Sequence, residues 1–70
     1  MAKTFSGKQV IKILCKYFGF AVVSQKGSHV KLRNKTLTTI VPMHKELARG
    51  TFRGILELAE VTEEDFLKYK

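Results

Sequence analysis

The chain has 70 residues, of which 44% are hydrophobic, and thirteen Lys and Arg side chains against six Asp and Glu give it a net charge of +7. The length predicts one domain over residues 1–70 with a modest core, and the hydrophobic content excludes a disordered chain. The charge favours an anionic partner, namely nucleic acid, an acidic membrane surface or an acidic protein.

The first predicted element is an amphipathic helix. Ser6 and Gln9 have the spacing of a capping box, which starts a helix, and Gly19 is placed to end it. At 100° per residue, the apolar side chains between these positions fill one side of the helix. The opposite side carries Lys8, Lys12 and Lys16, which we call the lysine stripe. Such a stripe is usually a solvated face, and it is also suited to contact a nucleic-acid backbone.

Three strands are predicted next. FAVVSQ (20–25) is apolar and β-branched, HVKLR (29–33) alternates strictly, and TLTTIV (36–41) is β-branched and stopped by Pro42. The turns between them, KGS and Asn34-Lys35, are short. Short connections of this kind favour an antiparallel meander.

Two helices complete the predicted order. After a loop at 43–50, Thr51 is placed to cap a helix through FRGILELAE, whose interior Gly54 weakens. Thr62 precedes three acidic residues, which is typical of a helix start and predicts a short helix at about 63–69. The expected fold is therefore α+β, of α-β-β-β-α order with a short C-terminal helix. Helices cover one face of its three-stranded antiparallel sheet and leave the other open.

The strict alternation of HVKLR determines where His29 points. Val30 and Leu32 belong to the core, so His29, Lys31 and Arg33 project together from the open face. The spacing alone leaves even odds between a chemical group and an ordinary surface histidine. The second histidine, His44, follows the third strand in a loop, where an ordinary surface histidine is the favoured interpretation.

Few catalytic schemes fit these residue types. The chain has no phosphate-binding glycine loop and no Cys and His cluster with zinc spacing. It has only one acidic residue before residue 57, so neither a metal nor another cofactor is expected. RNA cleavage through its own 2′-hydroxyl needs only proton transfer, for which imidazole is suited, and a cation near the phosphate. These groups are present in the sequence: His29, together with Lys31, Arg33 and either Lys26 or His44. Their presence alone does not establish that they are used.

The remaining signals concern location. Cys15 is the only cysteine, so no internal disulfide forms, and a reducing compartment fits. The segment MAKTFSGKQV has no apolar run typical of a signal peptide, and no stretch reaches membrane-spanning length. We therefore expect a cytoplasmic protein without a membrane partner.

An ordered series of short motifs covers nearly the whole chain. They are Val10 with Ile13 and Leu14, Gly19-Phe20, KGSH (26–29), VPMH (41–44), ELARGT (46–51), Ile55-Leu56, and a closing Thr62, Glu64 and Phe66. Each is weak alone, and in this order and length the set resembles the HicA toxin family of bacterial and archaeal HicA–HicB toxin–antitoxin pairs. One departure is Phe52-Arg53-Gly54, where the family usually has a better helix former than Gly.

The resemblance implies a fold like the double-stranded-RNA-binding domain. It also implies an mRNA-cleaving endoribonuclease, an mRNA interferase, that is neutralised by a HicB-like antitoxin protein. His29 becomes the expected catalytic residue, and His44 is balanced between second proton carrier and structural or binding residue. Gly27 and Ser28 are expected to shape the turn that aims His29, and Gly50 and Thr51 to begin and cap the next helix. The expected RNA contacts are Lys26, Ser28, Lys31 and Arg33.

Two other functions stay open at this point. The chain could be a non-catalytic RNA-binding module, which would keep most of its affinity without His29. A weaker alternative is an interaction module whose basic surface meets only an acidic protein, which absence of RNA binding at low salt would favour.

Overall fold

The computed structural model describes residues 4–70 and confirms the predicted α+β architecture. The elements in chain order are α1 (Gly7–Tyr17), β1 (Ala21–Lys26), β2 (His29–Arg33), β3 (Thr38–Pro42), α2 (Arg49–Ala59) and α3 (Glu63–Leu67). The strands form one antiparallel sheet in the order β1-β2-β3, with β2 in the centre. No helix in this described part is long and apolar enough to cross a membrane.

Helix α1 begins at the predicted capping box. The Ser6 hydroxyl accepts the Gln9 N–H at 3.0 Å, and the Gln9 side-chain oxygen accepts the Ser6 N–H at 2.9 Å. Two otherwise unpaired backbone donors are thereby satisfied. Gly19, with φ of +76°, follows the helix in the left-handed conformation typical of helix ends. The three side chains of the lysine stripe are exposed, as predicted.

The sheet has one covered and one open face. Val30 and Leu32 are buried with the apolar side chains of α1 and α2, whereas His29, Lys31 and Arg33 are exposed. This arrangement confirms the division predicted from alternation along HVKLR. Both long helices contact β3 from the covered side.

The third strand begins two residues later than predicted. Residues 34–37 form a four-residue loop, because the Asn34 side-chain oxygen accepts the N–H groups of Thr36 at 3.0 Å and Leu37 at 2.7 Å. An Asn that bonds to the backbone ahead of it holds such a turn. Pro42 was expected to follow the strand and end it, but it is the last residue of the strand. In the same way β1 runs over Ala21–Lys26 rather than 20–25.

Helix α2, in contrast, begins earlier than predicted, two residues before the expected cap. It starts at Arg49, and Ala48 occupies the N-cap position without a side-chain hydrogen bond, so the prediction of Thr51 as cap is wrong. Leu47 is only 3% exposed, which anchors the chain just before the helix. The Phe52 N–H donates to the Ala48 carbonyl at 2.9 Å and closes the first turn. Burial of an apolar anchor therefore decides this helix start rather than capping chemistry.

Helix α3 is tied to the core by an aromatic cluster. Thr62 accepts the Asp65 N–H at 3.1 Å and caps the helix as predicted, although the helix ends at Leu67 rather than near residue 69. Phe66 is fully buried and meets two other rings edge-on, at centroid distances of 5.3 Å to each. Those rings, Phe5 and Phe52, stack on one another at 5.2 Å. Offset and edge-on pairs of this kind add to the energy of burial.

We expect Gly54→Ala to raise the free energy of unfolding by about 0.5–1 kcal/mol, measured by urea denaturation. Gly54 lies inside α2, and a Cβ built there has no heavy atom within 4 Å. Gly7→Ala is the contrasting variant, because its Cβ would collide with the carbonyl oxygen of Pro42. That overpacking should lower stability by about 1–3 kcal/mol. A shift of the same sign in both variants would contradict the packing described here.

Candidate functional site

An open depression of about 410 Å³ lies on the open face of the sheet. It is lined by Ser24, Lys26, His29, Lys31 and Ile40. These side chains come from all three strands, and each is exposed to solvent. The depression therefore contains one imidazole and two ammonium groups on a surface that a large substrate can reach.

The strand register places these side chains next to one another. His29 is opposite Lys26 of β1, and Lys31 is opposite Ser24 of β1 and Ile40 of β3. Side chains at opposite positions of an antiparallel pair have Cβ atoms about 4.5–5.5 Å apart. Lys26 is therefore beside His29, and Lys31 lies two residues along the same strand face, about 7 Å further on. A phosphate group bound near His29 is within reach of both lysines.

The two-residue turn puts Lys26 on this face, and a β-bulge in β1 follows beyond Ser24. Val22 is opposite Leu32, but Ser24 is opposite Lys31, so two steps along β1 match one step along β2. The extra residue, Val23, shifts the alternation between the two ends of the strand. Without it, Ser24 and Lys26 would keep their places beside Lys31 and His29, and Val23 instead of Val22 would be opposite Leu32. The turn thus assembles the cationic part of the depression, and the bulge decides which valine is opposite Leu32.

A tight turn holds His29 at the first position of β2. Gly27 has φ of +59°, and a two-residue hairpin turn with such a glycine first requires this conformation. The Gln25 side-chain amide donates to the Gly27 carbonyl at 3.0 Å. On the other side, the Met43 N–H donates to the Ser28 carbonyl at 2.6 Å. The turn is therefore fixed to the end of β3 as well as to β1.

The charges of this face are not neutralised locally. Within residues 4–70 the ion pairs are Arg49–Glu63 at 3.5 Å and Lys68–Asp65 at 3.3 Å, both away from the depression. His29 makes no side-chain hydrogen bond to another residue of this described range. Unpaired cations on one exposed surface produce a positive local potential that attracts anions.

The predicted site residues fall into two groups. Lys26, His29 and Lys31 share the depression, whereas Arg33, His44 and Ser28 do not line it. Arg33 is at the far end of β2, opposite residues 21 and 38. His44 is exposed after β3, and its carbonyl accepts the N–H of residue 7 at 2.9 Å. Ser28 lies within the turn.

Ser24 and Ile40 line the depression and were missing from the predicted site. Counting backwards from a two-residue Gly27-Ser28 turn pairs Lys26 with His29 and Ser24 with Lys31, so turn geometry could have indicated Ser24. Ile40 carried no sequence signal of a site. Its place depends on the length of the loop before β3, which was predicted two residues too short.

Other reactive groups lie outside this depression. Cys15 is half-buried on α1, and burial raises the pKa of its thiol, which keeps it in the less nucleophilic form. Across the part of the chain that is described, no three His, Cys, Asp or Glu side chains are grouped so that they could hold a metal ion.

Comparison with known proteins gives one positive result. Residues 7–61 match the model of a protein family described as the HicA toxin of bacterial toxin–antitoxin systems. The match includes α1, α2, the whole sheet and every residue that lines the depression, and it stops before α3. Curated protein sequences contain no significant match.

Proposed function

The chain belongs to the HicA toxin family of bacterial toxin–antitoxin systems, and from this membership we propose that it is a metal-independent endoribonuclease that cleaves mRNA. The catalytic residue in this proposal is His29. The observation that carries it is the grouping of His29 with Lys26 and Lys31 in one solvent-open depression. Proton transfer and charge stabilisation, the two requirements of RNA cleavage, are then met by adjacent side chains.

The proposed reaction uses the nucleophile that RNA carries. The 2′-oxygen attacks the adjacent phosphorus while its proton passes to a base, and the bond from phosphorus to the 5′-oxygen breaks as that oxygen receives a proton from an acid. The products are a 2′,3′-cyclic phosphate and a 5′-hydroxyl. His29 performs one of the two proton transfers, and Lys26 and Lys31 stabilise the negative charge of the phosphorane.

The other proposed residues act around this centre. Gly27 and Ser28 set the turn that presents His29. Arg33, at the far end of the same strand face, contacts an RNA phosphate further along. His44 is the candidate for the second proton transfer, because it directly follows Met43, whose N–H is bonded to the Ser28 carbonyl.

The direct test is RNA cleavage by the purified chain, freed of any antitoxin, in excess EDTA. We expect cleavage of a single-stranded RNA, cyclic phosphate ends on the products, and no cleavage of DNA of the same sequence, which lacks the 2′-hydroxyl. Inhibition of translation without any RNA cleavage would overturn the proposal.

The antitoxin is proposed to be a HicB-like protein that covers the His29 face. Acidic side chains on that partner would meet the unpaired cations of the open face, because complementary charge speeds association and selects the partner. In the assembled pair, RNA would then be excluded from the depression.

A non-catalytic RNA-binding module is the second candidate, and the lysine stripe on α1 favours it. The stripe is exposed, α1 has no acid in its first turn, and like charges four residues apart on a helix are destabilising. An anionic partner would relieve that repulsion. Binding without cleavage by the chain in the EDTA assay would establish this function instead.

We expect replacement of Lys8, Lys12 and Lys16 by Gln to weaken RNA binding. Each lysine that contacts a phosphate of single-stranded RNA contributes about 0.7 to the slope of log K against log salt, so the slope should fall by about 2. The cleavage pH profile should not change, because the open face is intact. Binding and salt slope equal to those of the parent chain would show that the stripe is only a solvated face.

A further inference from the structure

The cations of the open face lie on two of its three strands. β1 and β2 present Lys26, Lys31 and Arg33 with His29, beside the uncharged Ala21 and Ser24, whereas the exposed side chains of β3 on this face are Thr38 and Ile40. Ile40 is 43% exposed and lines the same depression as His29. An exposed aliphatic side chain is thus set beside the proposed phosphate-binding groups, inside the depression that they line.

Core packing does not account for this position. The neighbouring Thr39 and Val41 point to the covered side, where Thr39 is buried and its hydroxyl donates to the Ile55 carbonyl at 2.9 Å. By alternation Ile40 points away from that core. Single exposed aliphatic side chains are common on proteins, and this one is distinguished by its place opposite Lys31 inside the depression.

We propose that Ile40 forms the floor of a nucleobase subsite. In this subsite, the base next to the cleaved phosphate packs its flat face on the Ile40 side chain while the phosphate lies between His29 and Lys31. The proposal rests on the proposed function, because it takes RNA as the substrate of this depression. Contact with the face of a base provides binding without reading its edge, so the subsite holds any base and selects weakly among sequences.

The packing of a base on this surface has a physical benefit for cleavage. The cations attract the backbone but do not orient it, since ammonium groups are point charges on flexible stems. A base held on a β-branched side chain of a paired strand adds a second fixed point close to the reacting phosphate. Holding the reacting groups in line lowers the barrier to the chemical step.

The test compares Ile40→Ala with Leu58→Ala in the cleavage of three RNA oligonucleotides. Leu58 is an aliphatic residue on α2 that is also exposed, at 57% against 43% for Ile40, and it lies away from the sheet's open face. One oligonucleotide has every base, and the others lack the base on the 5′ or the 3′ side of the cleaved bond. For the intact RNA we expect Ile40→Ala to lower kcat/KM about tenfold, as loss of several buried methyl and methylene contacts predicts, and Leu58→Ala to leave it unchanged.

The abasic substrates identify the partner of Ile40. On the RNA that lacks the contacted base, the parent chain should already be slow, and Ile40→Ala should cause no further loss, as expected for two groups that interact with one another. Ile40→Val, which keeps most of the apolar surface, should retain most of the rate. Equal losses on intact and abasic RNA, or no loss on either, would overturn the subsite.

The outcomes also separate this proposal from the proposed function. If the parent chain binds RNA without cleaving it, the nuclease proposal fails, and the subsite is judged by the affinity of a non-cleavable oligonucleotide with a 2′-deoxy sugar at the site. Weaker binding by Ile40→Ala for the intact form alone would then support it. If Ile40→Ala weakens only the antitoxin complex and leaves RNA cleavage and binding unchanged, Ile40 belongs to the protein interface and the subsite is refuted.

Discussion

We expect His29→Ala to lower the rate of RNA cleavage by about 10²- to 10⁴-fold, the range that a positioned proton carrier contributes. RNA affinity should change little, because Lys26 and Lys31 remain in the depression and, in the proposed function, are the groups whose charge binds the backbone. The rate is measured under single-turnover conditions in EDTA, and the affinity with a 2′-deoxy analogue that cannot be cut. The contrast between the two quantities separates catalysis from binding.

Two controls make this result interpretable. His29 is exposed, so alanine leaves no cavity, and an unchanged denaturation midpoint would verify that the fold is intact. His44→Ala removes the other imidazole, and a loss comparable with that of His29→Ala would assign it the second proton transfer. Equal cleavage by the parent chain and His29→Ala would contradict a catalytic His29 and indicate a contaminating nuclease or another residue.

The side of the sheet on which His29 lies could be predicted because strand geometry permits one solution. Side chains alternate along a strand, and Val30 and Leu32 both require burial, so His29, Lys31 and Arg33 had to face outwards. This inference needs no knowledge of the neighbouring strands. The capping box of α1 was equally predictable, since both its partners lie within four residues.

The features that could not be predicted from the sequence depend on contacts between distant segments. Val22 and Val23 are the same residue type, and nothing local decides which of them is the extra residue in β1; the pairing with β2 does. The start of α2 is set by burial of Leu47 rather than by Thr51. Tertiary packing has overridden local propensity in both cases.

The neighbours of Ile40 could be predicted only with the correct length of the loop before β3. A two-residue turn at Asn34-Lys35 would bring Ile40 opposite His29, whereas the observed four-residue loop brings it opposite Lys31. The face is the same in both cases, because the two registers differ by an even number of residues. The sequence could therefore indicate the side of Ile40 but not its neighbours, and the assembled depression is a property of the register.

The family match and the hydrophobic core do not have the same limits. The match ends at residue 61, yet the core includes Phe66 from α3 and Phe5 from the segment before α1. These two rings meet Phe52 of α2 in the aromatic cluster. The acidic C-terminal segment is therefore a structural part of the domain and not an appended tail.

We expect Phe66→Ala to lower the free energy of unfolding by about 3–5 kcal/mol, the usual cost of removing a buried phenyl ring. A domain of this size has a total stability of about 4–10 kcal/mol, so the variant should lose a large part of it. Phe66 is fully buried against Phe5 and Phe52, so removal of its ring leaves a cavity in the core. Urea denaturation followed by circular dichroism measures the change.

Leu67→Ala is the matched control, because Leu67 is the next residue on α3 and is 40% exposed. It should lower stability by no more than about 1 kcal/mol, since less apolar surface is lost from a partly solvated position. If both variants lose the same small amount, α3 is not anchored by its buried ring. A large loss in Phe66→Ala alone would mean that α3 is needed for stability, so a chain that ends at residue 61 would also be much less stable. Any loss of RNA cleavage in that shorter chain would then result from unfolding and not from the loss of a catalytic group.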